Sequence, residues 1–258
     1  MVYDFMNSLP NIIQEDKDIA HWEAWNKMSD QRREMLEKTE QIKEFIWMIE
    51  NDDLRAFTYF IFSQSHPSMW EIPSSSSGKY HPEWENGEGG LIRHIKAVFA
   101  LCMTSLRRYG YSHESPGDAN INAEMRDILA FSALLHDWGK NGDPNTNWGK
   151  HTTKTHGEDT AKLIKEELLP KFIKLFPEIN NKEELENLVD KSCFAIQHHY
   201  GVWSKEKIKP DDEKLTNAAR ILQESDYYSS RKIFSSVDEE EIKKICADNS
   251  PVVIKRIG

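Results

Sequence analysis

The chain is poor in everything that would mark an exported or membrane-embedded protein. It has only three cysteines in 258 residues, Cys102, Cys193 and Cys246, far apart and odd in number. That excludes a disulfide framework and fits a reducing cytoplasm. No apolar run approaches the length of a membrane span. The N-terminal stretch Met1-Val2-Tyr3-Asp4-Phe5 lacks a basic region followed by an apolar one, so no signal peptide is expected. Positive charge is also scarce. The net charge of −10 argues against broad electrostatic binding of long duplex nucleic acid, which needs a basic footprint. It leaves room for a small phosphorylated substrate. Internal repeats are missing, and so are alternating runs long enough for a sheet core, which points to an all-α class.

What is present is helical patterning with polar groups in unusual places. Hydrophobic residues make up 38% and charged residues 29% of the chain, as in a rather polar globular protein. Residues 11–50 read as helix, with Trp22, Trp25, Met28, Met35, Ile42, Phe45, Ile46 and Ile49 at mostly helical spacing. A second helix is expected through 54–62, with an Asp of the preceding Asn51-Asp52-Asp53 as cap. Residues 65–90 carry loop chemistry, with Pro67, Pro73, four serines, Pro82, Gly87, Gly89 and Gly90. Trp70, Tyr80 and Trp84 make this an ordered loop over a site rather than a linker. Helices follow over 91–109, 121–137, 155–168, 182–197 and 215–231, and a short acidic one over 238–245. Thr155 and Glu158 have the form of a capping box, and Pro170 is expected to end the helix they start.

The anomaly is His136-Asp137. In the stretch Ile128-Leu129-Ala130-Phe131-Ser132-Ala133-Leu134-Leu135-His136-Asp137-Trp138-Gly139-Lys140, the imidazole and carboxylate lie on the face of Ile128, Leu129, Ser132 and Ala133. A buried charge there needs a partner, and a metal ion suits His beside Asp. Other elements carry ligand-type residues on or near inward faces: His94, His156, the pair His198-His199, and Asp226. Helical phase favours His199 over His198, but the helix ends there and both stay candidates. Mixed imidazole and carboxylate ligands suit one or two ions of Mn, Fe, Co, Ni or Zn better than Mg. With two ions, Asp137 would bridge.

The order and spacing of Gly89-Gly90-Leu91-Ile92-Arg93-His94, Ala133-Leu134-Leu135-His136-Asp137-Trp138-Gly139-Lys140, His156-Gly157-Glu158, Ile196-Gln197-His198-His199 and 219–226 resemble the HD-domain superfamily of metal-dependent phosphohydrolases. The resemblance covers roughly residues 89–231. A narrower one, carried by Pro73, Lys79-Tyr80-His81, Gly89-Gly90-Leu91 and His94, is to the 3′→5′ exoribonucleases of the YhaM type, although residues 1–50 read as helix where that family has an OB-type module.

The resemblance implies an HD-domain helical bundle at 65–235, preceded by a helical segment at 1–64 and followed by a tail at 236–258. It implies His94, His136, Asp137 and Asp226 as core metal ligands, with His156 and His198 or His199 as those of two-metal members. Lys140 is expected to offset phosphate charge, and Lys79, His81 and Arg93 to contact substrate. The expected activity is hydrolysis of a nucleotide, a cyclic nucleotide or a short nucleic-acid end by metal-activated water, with Asp137 and Lys140 catalytic. Two rivals share the ligand set: an HD-fold di-iron oxygenase, and a nucleotide-sensing module without turnover. No membrane partner is expected, and the oligomeric state stays open.

Overall fold

The computed structural model describes residues 30–75, 78, 81–111, 119–201 and 215–231. All regular structure among them is helical: α1 (Asp30–Lys38), α2 (Lys43–Ile46), α3 (Asp52–Ser63), α4 (Gly90–Arg108), α5 (Ala119–Leu135), α6 (His156–Leu163), α7 (Leu169–Leu175), α8 (Lys182–His198) and α9 (Asn217–Ser229), with short 3₁₀ turns at Thr39–Ile42, Pro67–Trp70 and Glu83–Glu85. The expected all-α class is what the chain adopts. The expected helix at 238–245 lies outside the described residues, as do residues 11–29 of the expected helix at 11–50.

Helix α5 is the central element, packing on α4, α8 and α9. Helix α8 also meets α6 and α9, and α9 closes back onto α4. Ile128, Leu129, Ala130, Phe131, Ala133, Leu134 and Leu135 are all buried, so α5 is apolar nearly all round its last turns. The N-terminal helices join the same core. Phe45 of α2 meets Phe99 of α4 edge-on, with ring centroids 5.1 Å apart. Phe57 of α3 contacts both Phe131 of α5 and Phe172 of α7.

Three local expectations are corrected. Asn51, not an Asp, caps α3, its Oδ1 accepting from Leu54 N. Thr155 precedes α6, but its hydroxyl donates to the Asp159 carboxylate at 2.6 Å and no capping box forms. Pro170 does not end a helix. A π-helical turn at Ile164–Leu168 leads into α7, and Pro170 sits in the first turn of that helix, where its missing N–H leaves no hydrogen bond unmade.

Between α3 and α4, the described residues of the loop are held against the core. It is fastened by backbone hydrogen bonds from Gly89 N to Glu71 O, Leu91 N to Ile72 O and Ser74 N to Glu85 O. The Gly89-Gly90 pair is what allows this. Gly89 has φ +69°, and a Cβ on Gly90 would stand 1.9 Å from the Glu85 carbonyl oxygen and 3.0 Å from Pro73 Cα. Only glycine permits the loop to cross the first turn of α4 so closely. At the far end of α5 the helix gives way to tight turns, Trp138 N bonding Leu135 O and Lys140 N bonding Asp137 O. Trp138 is fully buried and donates to Ser65 Oγ at 2.8 Å, pinning this turn beneath the ordered loop.

Candidate metal centre

The turn after α5 delivers His136 and Asp137 into the interior, where other elements bring groups to meet them. His94 comes from the first turns of α4, His156 opens α6, His199 follows the last turn of α8, and Asp226 stands on α9. His94, His136 and Asp226 form one set of converging ligand atoms; Asp137, His156 and His199 form a second. In the first, His94 Nε2 is 3.4 Å from His136 Nε2 and 3.1 Å from Asp226 Oδ1. In the second, His156 Nε2 is 3.1 Å from both His199 Nε2 and Asp137 Oδ1. Asp137 spans the two: its Oδ2 is 3.6 Å from the Nε2 of both His94 and His136, while Oδ1 faces His156 and His199.

The fit to a cation is decided by the imidazole nitrogens. Nδ1 of His136, His156 and His199 lies 2.8, 2.7 and 2.6 Å from the carbonyl oxygen of Ala133, Thr153 and Ile196 respectively. A carbonyl only accepts, so each Nδ1 carries the hydrogen, and in a neutral ring Nε2 then turns a lone pair inward. Burial, together with the nearby His156 and His136 rings, lowers the pKa of His199 to about 3, so that ring stays neutral. The Nε2 atoms of His156 and His199 stand 3.1 Å apart beside the Asp137 carboxylate, converging on a place that a cation could take. Backbone carbonyls orienting the outer nitrogens is also how metal-ligating histidines are held. The donor set therefore fits a divalent transition metal better than an all-oxygen cation such as Mg.

Electrostatics in the metal-free chain run the same way. Burial opposes charge on His94, yet the Glu85 and Asp226 carboxylates raise its pKa to about 10. Burial also works against the Asp137 and Asp226 carboxylates. The Lys140 cation and His136 hold Asp137 well below the usual carboxylate range, and His94 does the same for Asp226. Lys140 donates to Asp137 Oδ2 and stays charged through that contact despite its burial.

A cavity of about 440 Å³ opens onto Asp137, Lys140, His199 and Asp226, with His81 and Tyr200 on its wall and Tyr227, Tyr228 and Arg231 among the residues of its rim. The other sequence candidates divide. His199 is in the cluster, whereas the His198 ring packs on Phe194 at 4.5 Å, outside both ligand sets. The Arg93 guanidinium donates to the carbonyl oxygens of Trp84 and Asn86, which secures the loop. Lys79 lies outside the described residues.

Sequence reasoning passes over Glu85, and places Ser229 on the face of the 215–231 helix that carries Asp226 without giving it a role. Glu85 is fully buried and accepts from His81 Nδ1 at 2.6 Å, with His94 Nδ1 at 3.2 Å from the same oxygen. Ser229 Oγ lies 2.9 Å from that same His94 nitrogen. Nothing periodic marks Glu85, which acts across the fold on the outer edge of a ligand, and period alone does not show what Ser229 meets.

No match is found among the curated proteins or among the solved structures, so the narrower likeness to exoribonucleases has no relative to support it. A family model described as the HD domain does match, over residues 91–231. That span exceeds half of the chain and contains the converged residues from His94 to Asp226, and with it the chain belongs to the HD-domain family.

Proposed function

We propose that the chain is a phosphohydrolase that uses one or two divalent transition-metal ions to cleave a phosphate ester in a nucleotide, a cyclic nucleotide or a short nucleic-acid end. Membership of a family of metal-dependent phosphohydrolases supports the general activity. The observation that carries the reading is Asp137, one buried carboxylate spanning two ligand sets at the floor of a substrate-sized cavity.

His94, His136 and Asp226 would hold one ion, and His156 and His199 a second, with Asp137 shared. When bound, such ions lower the pKa of water and draw charge from a phosphoryl oxygen. The chain supplies the rest. The carbonyls behind His136, His156 and His199 fix ring orientation before substrate arrives. Lys140 keeps Asp137 ionised and places positive charge on the cavity wall, where the negative charge of a phosphoryl group gathers. The nucleotide preference rests on the rim. Tyr227 and Tyr228 are 47% and 45% exposed, and the Arg231 guanidinium lies 4.0 Å from the Tyr227 ring centroid. Exposed aromatic faces with a stacked guanidinium suit a planar base.

The test is metal-replete protein assayed on nucleotides, cyclic dinucleotides and short oligonucleotides, reading phosphate release and product length together. Asp137→Ala should lose metal and turnover together. The expected loss exceeds about 100-fold, since even outer partners of ligands are worth 10- to 100-fold. Full activity of that variant overturns the reading. Stoichiometric iron with oxygen uptake and no phosphate release would assign an oxygenase instead, and tight nucleotide binding without turnover across a metal panel would assign a sensor.

A further inference from the structure

Glu85 is a carboxylate with no exposed surface, in a loop that the fold goes to some length to hold. Its backbone carbonyl accepts from both Ser74 N and Ser74 Oγ. The missing Cβ of Gly90 lets that carbonyl rest against α4. The result sets one oxygen, Oε2, 2.6 Å from His81 Nδ1 and 3.2 Å from His94 Nδ1. The two rings meet edge to face, centroids 5.0 Å apart. His94 turns its Nε2 toward His136 and Asp226, while His81 stands on the cavity wall with Asp137 and Lys140. The other carboxylate oxygen, Oε1, is buried and has no hydrogen-bond partner among the described residues. Leaving a carboxylate half satisfied in the interior is unfavourable unless its engaged oxygen has a task that a neutral or apolar residue could not perform.

We propose that Glu85 is a positioning residue that serves two histidines at once, orienting His94 for metal and His81 toward substrate, and so ties the loop over the site to the metal centre. The inference rests on the metal-centre reading above. A carboxylate behind a ligating histidine fixes the ring and strengthens it as a ligand. Ser229 shares the His94 hydrogen but is neutral, so its contribution should be the smaller. The Gly89-Gly90 pair then has a functional reason: it allows an acid from the preceding loop to reach the outer edge of a ligand in the next helix.

The experiment is Co²⁺ titration of metal-free protein, followed by visible absorbance, for wild type, E85Q, S229A and H81A. Glutamine keeps the shape and the backbone contacts of Glu85 and removes only the charge. E85Q should weaken Co²⁺ binding by about 10- to 100-fold and S229A by less, with the unfolding temperature of the metal-free proteins little changed. H81A should bind Co²⁺ as wild type does. With bis(p-nitrophenyl) phosphate at saturating Co²⁺, both E85Q and H81A should raise KM. Wild-type Co²⁺ affinity in E85Q overturns the metal half of the inference, and an unchanged KM in E85Q and H81A overturns the substrate half. An E85Q whose metal-free form already melts early has a structural role only. Wild type that takes up no Co²⁺ would sink the metal-centre reading itself and this inference with it.

Discussion

Gly157 shows how much can hang on one missing methyl group. A Cβ there would stand 2.8 Å from the Ile196 carbonyl oxygen and 3.1 Å from the His199 ring. That carbonyl is the acceptor that orients His199, so the glycine lets α6 bring His156 against the end of α8. We predict that Gly157→Ala lowers the metal content per chain with an unchanged circular dichroism spectrum; unaltered metal content would refute the close-approach argument. In the sequence Gly157 is visible only as the middle of His156-Gly157-Glu158. Its neighbour is about forty positions away along the chain, and no local pattern announces it. Helical phase points His136-Asp137 inward, and they do face inward, although the helix ends at Leu135 and a turn delivers them.

Between elements, the junction of α3 and α5 shows a helix terminus served from outside. Asp127 on α5 accepts from Glu50 N and Asn51 N, just ahead of α3, at 2.7 and 2.9 Å. Burial raises its pKa to about 6, even though the two N–H donors favour the charged form. A carboxyl whose folded pKa lies above its unfolded value gives its full stabilisation below the unfolded value of 3.8, and loses it as pH rises through about 6. Asp127→Asn should therefore flatten the dependence of the urea midpoint on pH between 4 and 6.5; an unchanged slope would contradict this. The extents of α4, α8 and α9 follow from apolar period and caps, since Asn181 and Thr216 supply side-chain caps to α8 and α9. The capping box at Thr155 and the stop at Pro170 misread because both depend on partners. Asp159 competes for the Thr155 hydroxyl, and the π-helical turn moves Pro170 to a helix start.

Taken whole, the molecule gathers four imidazoles and two carboxylates from five separate stretches of chain into one buried cluster. Ions that bind the folded chain and not the unfolded one stabilise it by mass action, by about 2.7 kcal/mol at a hundredfold excess over Kd. A chelator should accordingly lower the unfolding temperature of the wild type, and Asp137→Ala should be nearly insensitive to it. Equal sensitivity of the two proteins would mean that the ion is not held here. The same scale bears on partners. The net charge is −10, and the cavity rim presents Tyr227, Tyr228 and Arg231. No helix among the described residues is long and apolar enough to cross a membrane.

The sequence alone determined the helical class, the family resemblance and most of the converging residues. Those properties are written in period, in short motifs and in the oddity of polar groups on apolar faces, all of which are local. Tertiary structure decided which of His198 and His199 turns inward, that Arg93 serves the loop, and that Glu85 stands behind His94 and His81. Each of these depends on where one side chain ends relative to another far along the chain. At a helix end or in a loop, a single torsion can redirect a side chain without changing any pattern that the sequence displays.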